Sequence, residues 1–421
     1  MGAPVRLLAA ALAAASLVLA PAVARADDGP PLTVPQKDLA AALSCPKSLA
    51  GVTRAPVLLI PGTNLEPRAN FDWNYGPALD QVHIPWCAVT LPRYAMGDIQ
   101  VSAEYVVYAL RRMHAMAGRR VSVIGYSQGG MIGRWALKYW PDTRAMVEDL
   151  IGNAPSNHGT LSARPACSSQ CPASYWQQRD DSRFIRALNS GPETYAGIDY
   201  TVNYTHDDEV VTPNADAATG SSSLRTGAGR IRNTALQDIC PGDAADHLVI
   251  GSYDPVAWAL ALDALTHDGP ADPSRIDRSV CTQRFMPGVD PAAFPANWAR
   301  YLTTIGQGAE QADEVSAEPP LRCYAAGTCA SASAPAPSSA AGRRCASRRR
   351  ITLHLDRRLR RATVLVDGRR AAVRRRRGRL VVVLDLRGRA AGPVRVRIRG
   401  TSAGGHRLAF TRRFRLCARR R

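Results

Sequence analysis

The stretch VSVIGYSQGGMIGRWALKYW, Val121 to Trp140, places one serine between two different periodicities. Val121 to Ile124 form a continuous apolar, partly β-branched run that reads as a buried strand, whereas the apolar residues from Met131 to Trp140 recur at helical spacing. A chain that passes from strand to helix within a few residues must bend sharply at Ser127. Glycine at Gly125 and at Gly129 removes two Cβ atoms where strand and helix backbones approach each other. The pattern G-x-S-x-G in a strand–turn–helix setting predicts a nucleophile elbow, with the backbone N–H of Gln128 at the start of the helix available to an oxyanion. A Gly-Ser turn alone is also ordinary loop chemistry, so the reading depends on partners elsewhere in the chain.

The surroundings alternate strand and helix. APVLLIPGT predicts a strand ending in a glycine turn, SAEYVVYALRRMHAMAG a helix, and VEDLIGNAP and GIDYTVNYTHDDEVV two further strands beyond the elbow. Such alternation predicts a mostly parallel sheet covered on both faces, the doubly wound scaffold of α/β-hydrolases, which places its chemistry at the carboxyl ends of the strands.

A serine hydroxyl needs a base to take its proton and a carboxylate to orient that base, and in this scaffold the chain order is serine, acid, histidine. Downstream of Ser127 lie His158, His206, His247 and His267. The first two come too early to follow an acid at the end of the next strand, and His267 follows a long helix, DPVAWALALDAL, on the far side. His247, in the loop GDAADHLVIG, is the expected base. YTHDDEVVTP supplies the acid just past a strand, with Asp208 the choice and Asp207 beside it the alternative. The N–H of Gln128 and that of Thr63, with the Thr63 hydroxyl, are the expected oxyanion donors, and Gly62 is read as room for the substrate carbonyl. DPAAFPANWARYL, Asp290 to Leu302, carries Phe294, Trp298, Tyr301 and Leu302 at roughly helical spacing, as a flap over an acyl crevice or as core.

The ends of the chain have a different character. Arg6, the apolar run Leu7 to Ala20 and the small residues Ala24-Arg25-Ala26 predict a signal peptide over residues 1–26, with cleavage before Asp27 or after Ala24. That run is too short to span a bilayer, and no second spanning segment is read. An export route agrees with ten cysteines, an even number, whose spacing lacks accompanying histidines and so points to bridges rather than metal. ASASAPAPSSAAG, residues 330–342, is read as a linker between a catalytic domain at 27–329 and a second domain at 343–421.

The net charge of +19 hides two opposite bodies: residues 343–421 hold 28 arginines against 3 aspartates, and residues 27–342 hold 24 basic against 32 acidic groups. In the second domain, period-2 runs such as VRVRIR, with Asp367-Gly368 as a hairpin turn, predict a small β-sandwich clasped by Cys345 with Cys417, with Arg395, Arg397 and Arg399 pointing away from the core. Its charge predicts adhesion to a polyanion such as an anionic cell-wall or polysaccharide surface. No aromatic interleaving supports specific nucleic-acid recognition. The chain is expected to act as a monomer, and the competing functional reading is a surface-binding protein with a vestigial hydrolase scaffold.

Taken together, LLIPGT, DIQVSAEYVV, YSQGG, YWQQ, DDEVV.P and DH resemble the Candida antarctica lipase B family over Ala55 to about Gly327. The resemblance implies Ser127 as nucleophile, Asp208 as acid, His247 as base, Thr63 and Gln128 as oxyanion donors, and fatty-acyl esters as substrates, with no metal or organic cofactor. It also implies bridges Cys45–Cys87 and Cys240–Cys281. Cys323–Cys329 is taken for the third family bridge, and Cys167–Cys171 is expected beside a lid-like segment. Tyr126 stands where the family has tryptophan, and Ser156 where it has aspartate; the arginine-rich domain lies outside the resemblance.

Overall fold

A computed structural model describes residues 28–167, 169–329, 350–355, 359–376, 379–387, 392–402 and 407–416. The expected signal segment, the expected linker at 330–342 and the expected Cys345–Cys417 pairing lie outside the described residues. The chain divides into two compact units, Met1–Ala330 and Ser331–Arg421, each with its own core.

The first unit is built on a seven-stranded sheet. Its strands are β1 (Leu43–Ser44), β2 (Val57–Ile60), β3 (Trp86–Val89), β4 (Val121–Tyr126) and β5 (Val147–Asn153), followed, after the two-residue β6 (Cys171–Pro172), by β7 (Asp199–Tyr204) and β8 (Arg230–Ala235). The order is β1-β3-β2-β4-β5-β7-β8, with β1 antiparallel at one edge and every other pair parallel. Strands buried on both faces read as unbroken apolar runs, which is why β2 (VLLI) and β4 (VSVIGY) are buried at every position.

Two apolar layers account for that burial. On one face the Ile99–Ala117 and Gln128–Tyr139 helices bring Val106, Leu110, Ile132 and Trp135 onto the sheet, with Trp135 stacked on Phe184 at 4.0 Å between ring centroids. On the other, the Tyr75–Gln81 and Pro255–Thr266 helices contribute Leu79, Trp258 and Leu260. His247–Thr266 is apolar and long enough to cross a membrane by composition, but it is mostly buried in this core and Gly251–Asp254 divide it into two helices.

Four disulfides are present among the described residues: Cys45–Cys87, Cys167–Cys171, Cys240–Cys281 and Cys323–Cys329. The two long ones close 42 and 41 residues of chain, and loops of that size remove enough denatured-state entropy to stabilise the fold by about 4 kcal/mol each. Cys45–Cys87 holds β1 against β3. Cys240–Cys281 anchors the loop that leads to His247. β6 pairs with β9 (Glu314–Val315), which follows the Phe294–Gln311 helix.

The second unit is all antiparallel. One sheet has the order β10 (Arg350–His354), β14 (Arg379–Asp385), β13 (Val373–Arg376); the other runs β12 (Arg369–Ala371), β11 (Leu359–Val366), β15 (Gly392–Ser402), β16 (Arg407–Leu416). Val364, Val366, Val382, Leu384, Val396 and Ile398 meet in its core. Asp367 and Gly368 both have positive φ, 47° and 86°, as a two-residue hairpin turn between β11 and β12 requires.

Candidate active site

The bend at Ser127 is real and tight. Its φ is 53° and ψ −120°, a conformation that costs a non-glycine residue roughly 1–3 kcal/mol, and it is held by the Ser127 N–H donating to the Asn153 carbonyl at 2.9 Å. The flanking glycines are sterically obligatory: a Cβ on Gly125 would lie 2.4 Å from the Gly129 carbonyl carbon, and one on Gly129 would lie 2.2 Å from the Ile60 oxygen. β4 therefore delivers Ser127 to the carboxyl edge of the sheet, beside the end of β2.

His247 reaches the same point from the other side. It opens the short His247–Ile250 helix, capped by Asp246, whose carboxylate accepts the Val249 N–H at 2.9 Å. The imidazole Nε2 lies 3.1 Å from Ser127 Oγ, and Nδ1 lies 3.0 Å from Asp208 Oδ2. The other Asp208 oxygen accepts the N–H groups of Val210 at 3.0 Å and Val211 at 2.7 Å, so the carboxylate cannot swing. The Asp208 side chain is 0% exposed and that of His247 5%. With a carboxylate accepting at Nδ1, the ring carries its proton there, and Nε2 presents a lone pair to the serine hydroxyl.

Asp208, four residues past the end of β7, is thus the carboxylate that meets His247, while Asp207 is exposed and its N–H donates to Thr205 Oγ1 at 3.2 Å. The other histidines are engaged elsewhere: His158 with Glu193 at 3.5 Å, His206 with the Asn214 carbonyl at 3.1 Å, and His267 with Asp263 at 3.1 Å.

Around this chain of contacts stands a shell that the sequence reading did not foresee. Thr63 Oγ1 accepts from the side-chain amides of Gln128 and Gln178, both at 3.0 Å. Two donors occupy both lone pairs of the hydroxyl, which leaves its own hydrogen to donate, and Thr63 lines the same cavity as Ser127. Gln178 is aimed by Ser156, which donates to its oxygen at 3.0 Å. Asn70 accepts the Gly62 N–H and donates to the Gly251 carbonyl, both at 3.2 Å, tying the Thr63 loop to the segment after His247. Nothing in the sequence pattern marked Asn70.

Tyr126, next to Ser127 in the chain, packs against His247. Its hydroxyl donates to the His247 carbonyl at 3.0 Å while its ring lies 5.1 Å from the imidazole. Burial holds the phenol well above its ordinary pKa, so it remains a donor at any working pH. This ring adds a requirement at Gly62: a Cβ there would sit 2.7 Å from Tyr126 Cδ1, so the glycine makes room for the tyrosine. Glu209 completes the hold on the base by accepting the His247 N–H at 3.2 Å.

A cavity of about 310 Å³ opens over Ser127 and His247, near the lower end of the range for small-molecule sites. Ala163, Ala166, Val211, Leu248 and Ile305 give it apolar walls, and Thr63, Thr160, Ser162, Tyr175 and Gln178 add polar groups to the lining. Ala163 and Ala166 belong to the short helix that ends beside Cys167–Cys171. Ile305 comes from the Phe294–Gln311 helix, which extends well past the expected Leu302. Phe294, Trp298 and Tyr301 on that helix pack with Trp73 and Tyr253, so they serve the core, and Leu302 is 43% exposed. A wider depression of about 970 Å³ against Tyr108 and Arg112 shares no residue with this site.

No protein-family model matches the chain. Among curated proteins it is similar to lipase B of Pseudozyma antarctica, with 31% identity over 245 residues that cover 56% of this chain and 70% of that protein. Among solved structures it is similar to lipase B of Aspergillus fumigatus, at 32% identity and a TM-score of 0.65, covering 71% of this chain and 73% of that one. With the sheet order and the serine at its carboxyl edge, these likenesses establish that the chain belongs to the lipase B family of α/β-hydrolases and is a carboxylic-ester hydrolase.

Proposed function

We propose that the protein is exported and cleaves fatty-acyl esters through an acyl-enzyme formed on Ser127, with His247 as general base and acid and Asp208 as its orienting carboxylate. The observation that carries this reading is the unbroken contact chain from Ser127 Oγ to His247 Nε2 at 3.1 Å and from Nδ1 to Asp208 at 3.0 Å, beneath an apolar cavity. Ser127 Oγ attacks the ester carbonyl as its proton passes to Nε2, and the imidazolium is balanced by Asp208. Charge developing on the carbonyl oxygen is received by the Gln128 N–H and by the Thr63 N–H and hydroxyl. The tetrahedral centre collapses with loss of the alcohol, which takes the proton from Nε2. Water, deprotonated by the same nitrogen, then releases the acid and restores the serine. These steps call on no metal or organic cofactor.

The test is Ser127→Ala, which should abolish hydrolysis of p-nitrophenyl esters while leaving circular dichroism and thermal unfolding intact; an unimpaired variant would refute the assignment. Export is tested by sequencing the amino terminus of protein recovered from the medium, with Asp27 expected as the first residue and an intact Met1 as the opposing result.

A further inference from the structure

We propose that the outer face of the sheet β12-β11-β15 is a docking surface for anionic phospholipid headgroups, which holds the hydrolase at a lipid–water boundary. The choice of lipid as the occupant rests on the proposed fatty-acyl ester substrate; the arginine face itself does not.

Strand register separates the two faces of this sheet. Val364 pairs with Ile398 and Val366 with Val396, and all four are buried in the core. The alternate pairs must therefore face outward: Arg361 with Thr401, Thr363 with Arg399 and Leu365 with Arg397. On its other side Leu365 pairs with Arg370 of β12, so a single row across three strands reads Arg370, Leu365, Arg397. Arg361, Arg370, Arg397 and Arg399 are exposed and Leu365 is half-buried between them.

No outward position described on β11, β12 or β15 carries a carboxylate to neutralise these charges. The second domain has 3 aspartates: Asp356 lies outside the described residues, Asp367 occupies the hairpin turn, and Asp385 is on the other sheet with Arg387 at 2.5 Å. Arginines at this density on one face repel one another, and an anionic partner removes that cost.

The chemistry of the face favours a lipid surface over a soluble polymer. A guanidinium forks onto phosphate oxygens with two parallel hydrogen bonds, while its methylene stem lies along apolar material. Leu365 in the middle of the arginine row adds what a soluble polyanion does not require and a headgroup–acyl boundary does. The outward positions of β11, β12 and β15 hold no aromatic ring on which a nucleobase could stack.

Sedimentation of the full chain with lipid vesicles tests the proposal. Vesicles of phosphatidylcholine are compared with vesicles containing about one-third phosphatidylglycerol at physiological salt, where each surface-facing arginine contributes about fivefold in partitioning. The chain should bind the anionic vesicles and not the neutral ones. The triple variant R361S/R397S/R399S should bind them about a hundredfold more weakly and keep its activity on a soluble p-nitrophenyl ester. The matching triple lysine variant should retain most binding. Equal binding to both vesicle types, undiminished binding by the serine triple, or equal loss in the serine and lysine triples would overturn the proposal. So would quantitative transfer of the chain from anionic vesicles to heparin or DNA at matched charge. Ser127→Ala should sediment like the parent chain, so a failure of the catalytic assignment and a failure of docking are read separately.

Discussion

Thr63→Val replaces the threonine by a residue of the same shape that can neither donate nor accept a hydrogen bond, and two distinct losses follow. The first is catalytic. If the Thr63 hydroxyl donates to the oxyanion, removing that donor costs about 2.7–4 kcal/mol of barrier stabilisation, a fall in kcat of about a hundred- to a thousandfold with little change in KM. The second is structural. Gln128 and Gln178 each lose one acceptor 3.0 Å away, although each amide keeps a second, at the Ala95 carbonyl (3.0 Å) and the Ser174 carbonyl (3.3 Å) respectively. One orphaned N–H on each buried amide costs about 1–3 kcal/mol, so unfolding in urea should show a loss of about 2 kcal/mol or more. Thr63→Ser keeps the hydroxyl and should recover most of both. Steady-state kinetics on p-nitrophenyl butyrate with urea unfolding of all three proteins decides the matter. A valine variant whose kcat stays within a few-fold of the parent, or whose loss appears only in KM, would refute the reasoning.

Asp208→Asn should lower kcat by about 10⁴-fold with the fold intact, because the carboxamide no longer fixes the tautomer of His247; a loss below tenfold would argue for another acid. Gly129→Ala drives a Cβ to 2.2 Å from the Ile60 oxygen, so it should cost about 1–3 kcal/mol or more of stability and lower the fraction of titratable serine; an unchanged melting curve would contradict the packing described. Tyr126→Phe removes the hydroxyl held by the His247 carbonyl, and about 1 kcal/mol of stability with a lower kcat at constant KM is expected, whereas kinetics identical to the parent would show that this contact does not position the base. Asp149, buried within β5 and accepting from the Ser122 hydroxyl, has its carboxyl pushed up to about 7 by desolvation. Its folded pKa is above the unfolded 3.8, so the stability it contributes is fully present below about 3.8 and is lost as pH rises from there through about 7, on the order of 4 kcal/mol in full. Asp149→Asn should flatten that part of the stability–pH curve between pH ~4 and ~7, and parallel curves for parent and variant would sink the assignment.

The elbow was legible because its requirements are local. Gly125 and Gly129 are demanded by contacts within a few residues of Ser127 and with the end of β2, so their spacing carries the geometry directly. His247 was legible through chain order, since the base in this topology follows the last strands. The sequence favours Asp208 but keeps Asp207 as the alternative, because both sit in one acidic turn and the contact that separates them, Asp208 with His247 at 3.0 Å, forms only in the fold. Interactions that join distant segments had no signature at all: Gln178 and Gln128 converging on Thr63, Asn70 linking the Gly62 turn to Gly251, and the Tyr126 hydroxyl on the His247 carbonyl. The strand β8 was missed for a related reason. Its residues, RIRNTA, belong to an edge strand that is half exposed, so its apolar content falls below that of its neighbours.

The central claim is that Ser127 alone among the serines is activated by an oriented imidazole. Treating the full chain with a fluorophosphonate probe and locating the adduct by peptide mass spectrometry tests it directly. One phosphonyl group per chain on Ser127, absent in Ser127→Ala and much slower to form in His247→Ala, is the expected result. Adducts on another serine, or no reaction in a folded chain that still hydrolyses esters, would contradict it.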